Sequence, residues 1–154
     1  MRQPGDIIFY RVTPRSFIVS KIIAIASLLS GRGPNDSAYS HVAIVAENML
    51  EQYEATWPKT CLSKMYPDKP FEIWRFKQIT TEGRHSIIWW CKGNLGQWYD
   101  LGQFMLGLAD FKHAEICSSF VWKAYHCAGI DLSQRTKKFR FPHELIDDRL
   151  ERVE

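Results

Sequence analysis

The sequence has no Cys-x-x-Cys pair, no run of twenty apolar residues and no large excess of charge of either sign. Its four cysteines, Cys61, Cys91, Cys117 and Cys127, have neither zinc-ligand nor dithiol spacing, so no metal, no cofactor and no disulfide framework is expected. Cys117 and Cys127 fall on one predicted helix, too far apart for a bridge whose Cα atoms must lie within roughly 7 Å. The longest apolar stretch, Phe17 to Leu29, is broken by Ser20, Lys21 and Ser27 and is shorter than the ~20 residues of a membrane span. It reads as a core or interfacial helix, and no transmembrane segment is expected. Met1-Arg2-Gln3-Pro4-Gly5-Asp6 passes straight into a strand-like run, without the charged start, apolar core and cleavage site of a signal peptide. Cytoplasmic synthesis without Sec export is the expectation. A net charge of +3 does not argue for nucleic acid, and the basic cluster Arg135, Lys137, Lys138 and Arg140 reads as a solvated loop with at most weak attraction to an anionic surface. There is no repeat, low-complexity tract, nucleotide loop, oligomer signature or second-domain linker.

What remains is a chain of 154 residues, 45% hydrophobic and 24% charged, long enough to bury a core as one domain over residues 1–154. Six Trp and nine Phe make it rich in aromatics. Pro4-Gly5-Asp6 is a turn signal before a buried strand at Ile7–Val12. Pro14 and Ser16 open the helix at Phe17–Leu29, and Gly31-Arg32-Gly33-Pro34-Asn35-Asp36 turns the chain. Tyr39–Ala46 reads as a central strand, joined by a tight connection at Glu47-Asn48 to a hairpin partner at Met49–Ala55. Residues two apart share a strand face, so His41, Ala43 and Val45 form one set and Leu50, Gln52 and Glu54 another. A turn centred near Asn48 brings position 41 opposite position 54, an imidazole beside a carboxylate.

Pro58, Pro67 and Pro70 mark a long connection before a strand at Phe71–Phe76. Thr80 or Thr81 caps a helix running to Cys91, with Ile87, Ile88 and Cys91 on its apolar side, and Gly93-Asn94-Leu95-Gly96 stops it. Trp98–Met105 leads into a second helix. There Ser118 and Ser119 are helix-starting types, and Phe120, Val121, Ala124 and Ala128 form an apolar stripe. Cys117 then sits in or just before the first turn, where unpaired backbone N–H groups and the helix dipole favour a thiolate. Gly129 is the expected C-cap, and Phe141-Pro142-His143-Glu144-Leu145 is expected to lead into a short terminal helix.

Gly5-Asp6-Ile7-Ile8-Phe9, Ser40-His41-Val42-Ala43-Ile44-Val45, Glu54-Ala55, Tyr99-Asp100 and Cys117-Ser118-Ser119-Phe120-Val121-Trp122 occur in that order. Together they resemble the circularly permuted NlpC/P60 proteins, in particular the YiiX-like branch, in which the His strand precedes the Cys helix. The resemblance implies an α+β, permuted papain-like fold, with a small antiparallel sheet or partial barrel packed against the helix that carries the Cys. It implies Cys117 as nucleophile, His41 as general base and acid, and Glu54 as the residue that orients the imidazole. The Tyr99 hydroxyl and the Cys117 N–H are expected at the oxyanion site; Asp100 follows with no assigned role. Ser119 departs from the glycine of many unpermuted members and from the acidic residue common in the YiiX-like branch. His85, His113, His126 and His143 match no catalytic motif.

The implied activity is a thiol hydrolase, a cysteine peptidase or amidase, cleaving amides through a thioacyl intermediate. Peptidoglycan peptides are the first substrate expectation, with lipid amide or ester hydrolysis or acyl transfer as an enzymatic alternative. A non-catalytic binding module is a third reading, against which the intact Cys, His and Glu stand. Without a Sec signal a wall hydrolase has no obvious export route; release by phage lysis, an injection device or a secretion system would resolve that, and so would an intracellular substrate.

Overall fold

A computed structural model describes residues 1–11, 39–99, 114–132, 142–146 and 148–154. The expected Phe17–Leu29 helix, the turn after it, Asp100, the stretch from Leu101 to Met105, His113 and the Arg135–Arg140 cluster lie outside the described residues. The described chain is α+β. Strands β1 (Ile7–Arg11), β2 (Tyr39–Val45), β3 (Glu51–Ala55), β4 (Thr60–Lys64) and β5 (Phe71–Phe76) are followed by helix α1 (Thr81–Gly93). Two short strands, β6 (Trp98–Tyr99) and β7 (Ala114–Glu115), precede helix α2 (Cys117–Cys127). A 3₁₀ turn at Pro142–Leu145 and a last strand, β8 (Leu150–Arg152), complete it. Six strands form one antiparallel sheet in the order β4-β3-β2-β1-β5-β8, and β6 and β7 pair separately in parallel.

The central strands are apolar on both faces, so both faces are covered. Ile7, Phe9, Val42, Ile44 and Tyr53 pack on the side of the helices, against Ile87, Ile88 and Cys91 of α1 and Phe120, Val121 and Ala124 of α2. Ile8, Tyr10, Ala43, Val45 and Ile73 form a second cluster on the opposite face, closed by Met65, Tyr66, Phe71 and Val153. Helix α1 starts as its sequence predicts, with the Thr80 hydroxyl accepting from the Gly83 N–H at 3.0 Å. Helix α2 starts differently. Ile116 is its N-cap, Cys117 its first residue, and Ser119 acts from the third position by accepting the Ile116 N–H at 3.0 Å. At its other end Gly129 takes a φ of 76°, and the N–H groups of Gly129 and Ile130 return to the carbonyls of His126 and Tyr125. The expected glycine stop is therefore present, one residue beyond the Ala128 cap.

Four expectations are corrected. The β2–β3 register is offset by two residues from the predicted one: Ile44 faces Tyr53 and Val45 faces Gln52. The turn is longer than Glu47-Asn48, because Met49 adopts a left-handed φ of 61° and Asn48 binds the N–H groups of Leu50 and Glu51. The proline-bounded connection holds an edge strand, β4, whose mixed Thr-Cys-Leu-Ser-Lys composition carries little strand propensity. The terminal helix is only a 3₁₀ turn; the chain after it becomes β8, beside β5.

Gly5-Asp6 is where the layers are joined. Gly5 has a φ of 84°, a conformation that favours glycine, and its carbonyl accepts the buried Tyr125 hydroxyl of α2 at 2.6 Å. Asp6 is fully buried and takes hydrogen bonds from Arg75 of β5 at 2.8 and 3.0 Å and from Arg84 of α1 at 3.0 Å. One carboxylate thus ties the sheet to a helix, and its burial is tolerated because both oxygens are paired. Asp6→Ala strands two guanidinium groups that are themselves mostly covered. It is expected to lower the unfolding free energy by about 2–4 kcal/mol, read from urea denaturation followed by circular dichroism.

Candidate active site

Three of the residues singled out from the sequence meet at one end of β2. His41 Nε2 lies 2.6 Å from Glu54 Oε2 across the β2–β3 hairpin, and the imidazole also hydrogen-bonds the Cys117 side chain at the start of α2. With Nε2 engaged by the carboxylate, Nδ1 is the ring nitrogen left for the thiol. The imidazole–carboxylate contact survives the two-residue offset in register. Continuing the observed pairing sets Glu54 across from Ala43, one pleat along from His41 on the same face, within reach of both side chains.

A bulge sets the direction of the imidazole. Tyr10 pairs with His41 but Arg11 pairs with Tyr39, so Ser40 is an extra residue in β2. Such an insertion bends the strand and re-aims the side chain beside it. Its consequence is visible in the packing: Tyr39 lies in the helix-side cluster with Phe9, while His41 stacks over Tyr10 of the opposite cluster at 5.9 Å between ring centroids. Cys117 belongs to the helix-side cluster. The imidazole therefore links the two layers of the core.

Glu54 is wholly buried, and each of its oxygens has a donor. Oε2 faces His41; Oε1 accepts the Ser63 hydroxyl of β4 at 2.5 Å and the Tyr66 hydroxyl at 2.7 Å. Tyr66 is positioned in turn by aromatic contact with Tyr10 at 5.2 Å and by the Lys69 ammonium 3.9 Å above its ring. Ser63 and Tyr66 were missed in the sequence because they lie on and after the unrecognised strand β4. The signal available was Glu54 itself: a buried carboxylate demands donors, and the alternate positions of an adjacent edge strand are where they stand.

Burial alone pushes the Glu54 carboxyl up, but the hydrogen bond and charge of His41 and the hydroxyls of Ser63 and Tyr66 outweigh it and hold the group at about 2. Burial likewise works against an imidazolium at His41. The hydrogen bonds to Cys117 and Glu54 and their charges prevail, raising it to about 10. At neutral pH the imidazole therefore rests as the imidazolium, held between the Glu54 carboxylate and the Cys117 sulfur.

Tyr99 is brought to the same region by the backbone. It pairs with Glu115, two residues before Cys117, and its side chain packs against the helix-side core. Of the other histidines, His85 and His126 are exposed, and the His126 ring stacks on Trp122 of its own helix at 4.9 Å. Among the described residues no cluster of His, Cys, Asp and Glu could hold a metal ion, and no helix is long and apolar enough to cross a membrane. All four cysteines are free thiols. No protein-family model matches the chain, and none of the curated proteins matches it in sequence.

The paired shifts define a pH window. The raised His41 value contributes stability that is complete below the ordinary histidine value of roughly 6.5 and is lost as pH rises through about 10. The depressed Glu54 value contributes stability present above the ordinary carboxylate value of roughly 4.3 and lost as pH falls through about 2. The urea midpoints of the native protein and Glu54→Gln should therefore differ most near pH 5 to 6 and converge toward both extremes. Tyr66→Phe, which removes one of three donors to Glu54, is expected to cost about 1–2 kcal/mol in the same titration.

Proposed function

We propose that the protein is a thiol-dependent acyl hydrolase in which Cys117 is the nucleophile, His41 the general base and acid, and Glu54 the residue that orients the imidazole. The observation that carries this reading is the unbroken hydrogen-bonded series from Cys117 through His41 to a buried, fully engaged Glu54. A nucleophile, a base within hydrogen-bond reach of it, and a third group fixing that base form the constellation of nucleophilic acyl transfer. The order of the motifs, with the His strand before the Cys helix, supports a permuted papain-like domain of the NlpC/P60 kind.

With the proton of the Cys117–His41 pair already on the imidazole, the Cys117 sulfur attacks the carbonyl carbon of an amide. The carbonyl π electrons move to oxygen, where the Cys117 N–H, in the first turn of α2 and so without an intrahelical acceptor, donates a hydrogen bond. Tyr99 is the second donor in this reading, carried to the start of α2 by its pairing with Glu115. His41 returns its proton to the departing amine as the C–N bond breaks, leaving a thioester. Water then gives a proton to His41 and its oxygen to the acyl carbon, and collapse of the second tetrahedral species releases the acid and restores the Cys117–His41 pair with its proton on the imidazole. Glu54 stays ionised throughout and stabilises the imidazolium.

Peptidoglycan peptides are the proposed substrates, on the resemblance to the wider NlpC/P60 group. Hydrolysis or transfer of a lipid acyl group is the second reading, favoured by two exposed tryptophans, Trp57 and Trp98, at the end of the sheet where the site lies. Mass spectrometry of purified peptidoglycan fragments incubated with the protein should reveal new cleavage products that Cys117→Ala does not make. Tyr99→Phe should lower turnover by about 10²–10³. Products that persist with Cys117→Ala would refute the nucleophile, and wall fragments left intact by the native protein would refute the substrate class.

A further inference from the structure

Most of the described large apolar side chains are buried, but four exposed ones gather on the surface beside the candidate site. Trp57 and Trp98 are 64% and 60% exposed, and Leu62 and Leu95 are 44% and 40%. Backbone contacts bring their segments together. Lys59 bridges to Trp98, the Tyr99 N–H donates to the Pro58 carbonyl at 2.9 Å, and Thr60 exchanges backbone hydrogen bonds with Gly96 and Gln97. The Thr60 hydroxyl adds contacts to Asn94 and Gln97. This rigid frame holds two indoles outward, where a monomer gains nothing from exposing them.

The charge of the strip has one sign. From Ala55 to Met65 and from Trp89 to Tyr99 the chain contains no acidic residue, and its charged groups are Lys59, Lys64 and Lys92. Lys92 is paired with Glu47, and Lys64 lies across the sheet from Glu51. Lys59 instead places its ammonium 4.5 Å from the centre of the Trp98 ring. Tryptophan with lysine at its edge is the pairing suited to a headgroup layer: the indole occupies the boundary between apolar and wet, and the ammonium meets lipid phosphate. An acidic peptide or polymer would account for the lysines and leave the indoles and leucines without a role.

We propose that the surface formed by Trp57, Lys59, Leu62, Leu95 and Trp98 is a docking face for an anionic lipid bilayer. The strip is continuous with the candidate site. Trp98 pairs with Ala114, three residues before Cys117 and thus within about 10 Å of it along the chain. Ala55, which follows Glu54, pairs with Thr60. Docking therefore sets the Cys117 end of the molecule against the membrane surface. The face goes beyond the hydrolase reading and can be tested without turnover.

The test is partition of the full chain carrying Cys117→Ala into vesicles of mixed phosphatidylglycerol and phosphatidylcholine, measured by co-sedimentation and by the tryptophan emission maximum. Binding with a blue shift is expected on the mixed vesicles and weaker binding on phosphatidylcholine alone. Lys59→Gln should weaken the first about fivefold and leave the second unchanged. Trp57→Ser with Trp98→Ser should abolish the blue shift and weaken binding at least tenfold. Trp89→Ser, which removes an exposed tryptophan beside Gln3 and Pro4 away from this strip, should bind as the parent does. All these side chains are exposed, and an unchanged urea midpoint for each variant checks its fold. Absence of partition would overturn the proposal. So would binding that ignores the Trp57 and Trp98 substitutions and is displaced equally by soluble polyphosphate, which identifies a polyanion site instead. Neither outcome bears on Cys117, whose role is decided by cleavage products.

Discussion

A carboxylate sealed inside a protein must be supplied with donors, and Glu54 dictates much of what surrounds it. No single segment can meet that demand. His41 arrives from β2, Ser63 from β4 and Tyr66 from the loop beyond, so the edge strand and the loop after it are held in place partly to satisfy one side chain. The same principle operates twice more. Asp6 gathers Arg75 and Arg84 at one end of β1, and Glu72, buried on β5, takes the Tyr39 hydroxyl at 2.6 Å, the Trp74 indole at 3.1 Å and the Arg11 guanidinium. Three buried acids, each fully engaged, pin the sheet at separate points. The apolar core is not specific enough to fix these registers by itself.

Much of this is visible in the sequence where residues carry both a propensity and a pattern. Thr80 with Ile87, Ile88 and Cys91 gives the helix, its cap and its buried face; the alternation in Tyr39–Val45 gives a strand and the face on which His41 lies. The parts that escape are held by tertiary contact. Thr60–Lys64 becomes a strand because Glu51–Ala55 offers it a ladder, and Leu150–Arg152 because β5 has an open edge. Neither has a pattern of its own to announce it. The hairpin register slips by two because Asn48 and Met49 build a longer turn than the residue types suggest. Yet His41 and Glu54 still meet, since a shift by an even number of residues keeps every side chain on its face.

The candidate site joins two kinds of support. The thiol is anchored in the helix layer, whose position follows from packing, while the carboxylate is anchored in hydrogen bonds on the other side of the sheet. The bulge at Ser40 lets one imidazole belong to both. Ring stacking against Tyr10 then limits its rotation, and the hydroxyls on Glu54 limit movement of its partner. On the hydrolase reading, the precision that acyl transfer needs comes from this double suspension.

The order of the segments along the chain has a consequence for the timing of assembly. The imidazole and its carboxylate lie on neighbouring strands of a hairpin, contacts that close over a short span and can form early. The thiol lies 76 positions beyond His41, on the far side of six further elements among the described residues, and the strand that completes the sheet comes later still. A nascent chain emerging from the ribosome therefore displays the imidazole long before the thiol that it hydrogen-bonds. On the hydrolase reading, any reactivity that needs both groups is withheld until synthesis has passed α2 and the helix has packed on the sheet.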